Sequence, residues 1–286
     1  MKKILLVLFI LLNTLTQDRR PSFPFITGDG FRSLAQHILD EESKFEPTIV
    51  NEKDIIFVGT HFLPLFFSDY FPQITVPFIL INHNSDCGVS SNFTSYINDT
   101  KIIKWFAQNV SNWRHPKLIP IPIGLENRYN KIGSQFENIK IFISQNAQNK
   151  KRNIFIYANI SETHLERFEV YKTLALKPYI TWSTRKDFFS YLTDLSKSIF
   201  VLSPRGNGLD CHRTWEALLL GAIPIVKASS LDPIYHNLPV VIVKNWEELS
   251  KEFIEQKLEE LSHCAFSMEK IYFGYWKNLI QTSQGV

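Results

Sequence analysis

Short apolar runs bounded by turn residues recur along this chain, and longer amphipathic stretches separate them. The runs are DIIFVG (54–59), VPFILIN (76–82), KLIPIPI (117–123), NIFIYAN (153–159), SIFVLS (198–203), AIPIV (222–226) and PVVIV (239–243). Several are apolar almost throughout instead of alternating, as strands covered on both faces require. Helical spacing predicts helices near 29–42, 97–110, 162–176, 185–196, 210–220 and 246–280. In the first of these, Phe31, Leu34, Ile38 and Leu39 supply the apolar face. Strands alternating with helices imply an α/β fold built on mainly parallel sheets.

The polar segment SQNAQNKKRN (144–153) has no apolar periodicity, and a strand-like run follows it directly. It divides the chain into a lobe over 18–148, a second over 149–245 and a helical segment over 246–286 that packs across them. Two such lobes facing each other leave a cleft, and ligands of open α/β sheets bind beyond the carboxyl ends of strands. The 286 residues are 44% hydrophobic, enough for cores of that size. A net charge of +3 without a basic stripe excludes the usual nucleic-acid footprint. The cysteines, Cys87, Cys211 and Cys264, are far apart and include no C-x-x-C pair, which excludes a zinc ribbon and a thioredoxin motif.

The N-terminus, MKKILLVLFILLNTLTQ, places two lysines before an apolar run from Ile4 to Leu12. It reads as a signal peptide or short signal anchor over 1–17, with membrane association through that segment. Sequons at Asn92, Asn98, Asn109 and Asn159 add weak support for a secretory route.

The stretch SPRGNGLDCHRTWEALLLGAIPIV (203–226) forms one strand–loop–helix–strand unit. Asp210 is placed to cap the helix and Gly221 to end it. Backbone N–H groups at a helix N-terminus favour a bound anion. Arg205 and Arg213 add cationic forks suited to phosphate, and Glu216 shares a helix side with Arg213 and His212. On a solvent face the same Arg213–Glu216 pair would be a surface ion pair worth roughly a few tenths of a kcal/mol. In GNGLDC, Cys211 stands where a dinucleotide fingerprint has its third glycine, and the next strand ends in Lys227 where an acid is wanted. No P-loop, H-E-x-x-H, G-x-S-x-G or D-x-D sequence occurs, so no metal ligand set is expected.

The pattern formed by Ser203, Pro204, Gly206, Arg213, Glu216, Ala217, Gly221, Ile223 and Pro224 resembles the C-terminal signature of exostosin-like glycosyltransferases, the family termed GT47. It is also similar to the broader GT-B pattern, in which a helix glutamate contacts the nucleotide ribose. The resemblance covers about 24 residues and, with flanking strands, the region 150–250. It implies a GT-B-like pair of Rossmann-like lobes. It further implies an inverting, metal-independent transfer of a sugar from a nucleotide-diphosphate donor to a glycan or other hydroxyl acceptor, with no cofactor beyond that co-substrate. By the same likeness the arginines would hold the diphosphate and Glu216 the ribose.

Other positions complete the expected site. Thr163 and Arg167 follow the first strand of the second lobe, where Ser161 is placed to cap a helix, and are expected to reach a donor phosphate; with Arg205, Gly206, Gly208, Arg213 and Glu216 they make up the expected donor-binding set. Asp86 and His83, beyond the end of VPFILIN, are the expected general-base residues, with His61 a weaker one. Glu126 and Asn127 are placed on the acceptor side. The competing reading is a non-catalytic carbohydrate- or partner-binding protein with the same fold. A donor requirement places the protein on the lumenal side of the secretory pathway or Golgi membrane, or else in a bacterial cytoplasm.

Overall fold

The computed structural model describes residues 17–111, 113–149 and 151–285. The signal expectation for 1–17 therefore lies almost wholly outside the described residues.

Two five-stranded sheets carry the fold, and every pairing within them is parallel. The first contains β1 (His37–Leu39), β2 (Ile55–Gly59), β3 (Phe78–His83), β4 (Ile102–Ala107) and β5 (Leu118–Pro120), side by side in that order. The second contains β6 (Ile154–Ala158), β7 (Ile180–Trp182), β8 (Ser198–Leu202), β9 (Ile223–Lys227) and β10 (Val241–Val243), in the order β10-β9-β8-β6-β7. The α/β class with two parallel sheets is thus as expected. The winding of the lobes differs, however. The first sheet runs in sequence order, whereas the second reverses direction between β6 and β8, which creates a switch point there.

Burial explains why the strands are apolar throughout. All residues of β2 and β3 are buried. Ile56, Val58, Phe78, Leu80 and Trp105 meet an aromatic cap of Phe66, Phe67 and Phe71 on one face. On the other face Ile55, Phe57, Ile79, Ile81 and Phe106 belong to one continuous core with Trp215 and Leu218 of the second lobe and with Phe273, Trp276 and Ile280 near the C-terminus. The outer face of the second sheet packs Phe200, Leu202 and Ile225 against Val170, Leu174, Trp246 and Ile254.

Three helix expectations are corrected. The 97–110 stretch is strand β4, because Trp105, Phe106 and Ala107 are buried between two cores, a position that suits β-branched and aromatic residues. The 29–42 stretch is a single helical turn and a half, Gly28–Arg32, followed by β1, whose Ile38 and Leu39 pair with Phe57 and Val58. The 246–280 stretch is a helix Lys251–Ser262, a short 3-10 turn Met268–Ile271 and a second helix Phe273–Thr282. Ile254 serves the outer core of the second lobe, while Phe273, Trp276 and Ile280 serve the core shared with the first. One straight helix cannot reach both, so the chain turns between them. The last helix is tied to the first lobe by Phe273 N–H donating to Pro24 O at 2.9 Å and Gln284 Nε2 donating to Lys53 O at 3.0 Å.

Candidate functional site

The unit 203–226 forms as its sequence demands. Its helix, His212–Leu219, ends at Gly221 with φ +71°, and the Gly221 and Ala222 amides donate to the Leu218 and Ala217 carbonyls. That pair of bonds is a Schellman closure, which needs the left-handed residue glycine tolerates. The start of the helix departs from expectation. Cys211 is the cap residue and its side chain makes no capping bond. Asp210, one residue earlier, is buried and looks across the lobes instead. Its carboxylate accepts from Ile123 N–H of the first lobe at 2.8 Å, from Trp215 Nε1 at 2.8 Å and from Cys211 N–H at 2.9 Å. Burial raises its pKa to about 6, against the pull of those donors.

Asn109 completes the join. Held at φ +54°, it accepts from Asp210 N–H at 3.0 Å and donates to Ser85 O at 3.1 Å. A Cβ on Gly208 would lie 2.5 Å from the Asn109 amide, so this glycine permits the close approach of the lobes. Asn207 donates to the Asp86 carboxylate at 3.3 Å, a further bond across the cleft.

A cavity of about 620 Å³ opens where these loops meet, beyond the carboxyl ends of β6 and β8 at the switch point. Thr163, Arg167, Gly206, Gly208, Arg213 and Glu216 all line it, and Asp86 lies on its first-lobe wall. Arg213 donates from Nη2 to Asn159 O at 2.6 Å, while its buried Nε and Nη1 make no hydrogen bond of normal geometry among the described residues, with the Tyr191 hydroxyl also near the guanidinium. Arg167 is buried and holds the neighbouring loops, donating to Arg205 O at 2.8 Å and to Ser161 Oγ at 3.0 Å. Glu216 is buried as well, with one carboxylate oxygen accepting from the Tyr191 hydroxyl at 2.8 Å. Burial pushes the Glu216 pKa up, and His212, Tyr191 and Arg213 pull it back. Tyr191 stays neutral, because burial raises its pKa well above the ordinary value.

Arg205 does not join this group. Its guanidinium folds back on its own loop, donating to Asn207 O at 2.6 Å, and it lines two smaller cavities of about 210 and 150 Å³. Ser161 is not the helix cap either: His164 caps Leu165–Leu174 by accepting from Glu166 N–H at 3.1 Å. His83 is buried, with Nδ1 accepting from Asn84 N–H at 2.8 Å and Nε2 lying 3.0 Å from Pro122 O. Burial lowers its pKa to about 4, and neither nitrogen keeps a lone pair for a substrate proton. The base expectation for His83 is therefore set aside on geometry. Asp86 is exposed at the cleft mouth.

A second cavity of about 300 Å³ lies on the first-lobe side, lined by His61, Gln108, Asn127 and Tyr129 among others. Glu126 instead lines the larger cavity. The sequence reading missed Tyr191, Arg185 and Lys186, which line the larger cavity from the segment after β7. Among the sequons, Asn92 and Asn98 are exposed, whereas the side chains of Asn109 and Asn159 are taken up in hydrogen bonds at the cleft.

Residues 155–271 match the family model described as RXYLT1 C-terminal domain. The matched segment contains the whole 203–226 unit and the Thr163–Arg167 wall of the cavity. No curated protein matches the chain. Among solved structures, the chain is similar to an alpha1,3-fucosyltransferase at 13% identity and a TM-score of 0.41, covering 82% of this chain and 78% of that one. The catalytic domain of starch synthase IV from Arabidopsis thaliana, bound to ADP and acarbose, gives 14% identity and a TM-score of 0.34, covering 82% and 74%. A GtfA/B complex gives 13% and 0.37, covering 83% of this chain and 58% of that one.

Proposed function

We propose that the protein is a glycosyltransferase that moves a sugar from a nucleotide-diphosphate donor to a hydroxyl of a glycan or related acceptor. The observation that carries this reading is Arg213: a buried guanidinium with two unpartnered nitrogens, in the wall of a switch-point cavity it shares with Glu216. Buried polar groups in folded proteins are almost always paired, so this one is set aside for a bound acceptor of hydrogen bonds. A diphosphate suits it, with Thr163, Arg167 and the loop through Gly206 on the same wall. Glu216 keeps one carboxylate oxygen for ribose hydroxyls. The family match over 155–271 falls on this lobe and agrees with the exostosin-like signature.

In this proposal Arg213, Arg167 and the loop dipoles neutralise the leaving diphosphate. The acceptor enters from the first lobe, and attack from that side inverts the anomeric centre. Asp86 lines the first-lobe wall of this cavity. Nucleotide sugars are available in cytosol and in the Golgi lumen; the apolar N-terminus favours the lumen, with Asn92 and Asn98 as the accessible glycan acceptors there.

Isothermal calorimetry with UDP and GDP tests the reading. Wild type should bind at least one of them, and Arg213→Ala should weaken that binding about ten- to a hundredfold, the range for hydrogen bonds to a charged group. A wild type that binds neither nucleotide contradicts it.

A further inference from the structure

The larger cavity and the first-lobe cavity have only three wall residues in common among the described residues: Asp86, Ile123 and His212. If a donor occupies one chamber and an acceptor the other, the reacting atoms meet at this shared wall. His212 is held there in a defined way. Its Nδ1 lies 2.7 Å from the carbonyl oxygen of Gly124. A carbonyl only accepts, so Nδ1 carries the ring proton and Nε2 of the neutral imidazole carries a lone pair. No hydrogen bond engages Nε2 among the described residues. This is the arrangement that His83 lacks.

The first-lobe chamber indicates what that lone pair meets. Its walls carry amides and hydroxyls, including Gln108, Ser85, Tyr129 and Asn130, together with three histidines and the Asp86 carboxylate, but no lysine or arginine. An anionic acceptor would find no counter-charge there, whereas an uncharged polyhydroxylated one would find donors and acceptors.

We propose that His212 is the general base of the transfer, its Nε2 accepting the proton of a hydroxyl on an uncharged sugar or polyol seated in the first-lobe cavity. The inference rests on the glycosyl-transfer reading and adds the proton acceptor and the acceptor class to it. In the step, the acceptor oxygen bonds to the anomeric carbon as its proton passes to Nε2. The bond from that carbon to the donor phosphate oxygen breaks, and its electron pair leaves with the nucleoside diphosphate. The imidazolium so formed keeps its Nδ1–H on Gly124. Around it stand Asp210, Glu216 and Arg213 from its own segment and Asp86, Glu126 and His83 from the first lobe, with Arg167, Arg185 and Lys186 also lining the larger cavity.

The test uses the full chain and the variant His212→Asn, whose amide keeps a donor for Gly124 but has nothing in place of Nε2. Two-bond proton–nitrogen spectra of histidine-labelled wild type should show His212 with hydrogen on Nδ1, assigned by loss of its signal in the variant. Hydrolysis of UDP-glucose, UDP-N-acetylglucosamine and GDP-mannose should be followed alongside calorimetry with UDP and GDP. We expect turnover of the active donor to fall at least about 100-fold in His212→Asn, the lower end for a lost general base, with nucleotide Kd changed less than about threefold. The proposal is overturned by a proton on Nε2, by turnover in His212→Asn equal to wild type, or by a wild type that binds nucleotide and hydrolyses none of the donors. Each of those results leaves the nucleotide site standing. Absence of nucleotide binding by wild type removes the donor reading itself.

Discussion

Each buried N–H left without a partner costs about 1–3 kcal/mol, and Arg213 leaves two nitrogens so. The arrangement is stable because Nη2 is held by Asn159 O and Glu216 stands one helical turn away. It becomes favourable when a ligand accepts from the free nitrogens. His83 shows the opposite case, a titratable group with every hydrogen bond made inside the protein. Its folded pKa, about 4, lies below the ordinary 6.5, so between those values the unfolded chain binds more protons than the folded one. Its share of stability is complete above pH 6.5 and is lost as pH falls towards 4, up to about 3 kcal/mol. Asp29 and Asp210 have pKa values raised to about 6 by burial, so their effect has the opposite sign, favouring the fold as pH falls. Denaturant titrations of wild type and His83→Gln between pH 7 and pH 4 isolate the histidine. The stability gap between the two should narrow as pH falls, and an unchanged gap would show that His83 titrates normally. The placement of Arg213 and Glu216 in one cavity was legible because they sit in a signature with fixed spacing. That of His83 was not, since a position just after a strand does not reveal whether a ring faces the cleft or the carbonyl of Pro122.

At the scale of elements, the loop 203–211 both walls the cavity and joins the lobes. Asp210 is the joint, carrying Ile123 and Trp215 on one carboxylate oxygen. Asp210→Ala would leave both of those N–H groups buried and unpaired. The expected loss is about 2–4 kcal/mol in urea denaturation, with a smaller loss in Asp210→Asn; equal stability to wild type would mean the lobes do not depend on this bond. Sequence reading took Asp210 for a helix cap because position and residue type fit one. What it cannot register is an acceptor's partner 87 residues away. The same limit explains β4: KIIKWFA has helical spacing, and only burial on both faces makes a strand the better solution. The helix Phe136–Asn146 was overlooked although Phe136, Ile139 and Ile143 repeat at helical spacing. That signal was present and was masked by the polar segment after it.

Across the whole molecule, the core does not divide as the chain does. Ile55, Phe57 and Phe106 of the first lobe, Trp215 and Leu218 of the second, and Trp276 and Ile280 from the last helix form one cluster. Such a shared core should make the two lobes unfold together. Trp276→Ala should cost about 3–5 kcal/mol and lower a single calorimetric transition; two separate transitions would show independent lobes. The two-lobe plan was legible from the strand pattern and the polar segment between the halves, but the return of the C-terminal helix to the first lobe was not, because periodicity marks an apolar face without naming its partner. The plan matters for function through the cleft it creates, where the switch point of the second sheet faces the strand ends of the first.

The most direct measurement is a crystal structure of the protein with UDP or GDP, whichever binds. The diphosphate should lie within hydrogen-bond distance of Arg213 Nε or Nη1, with a ribose hydroxyl on Glu216. A nucleotide bound elsewhere, with Arg213 still unpartnered, would contradict the account.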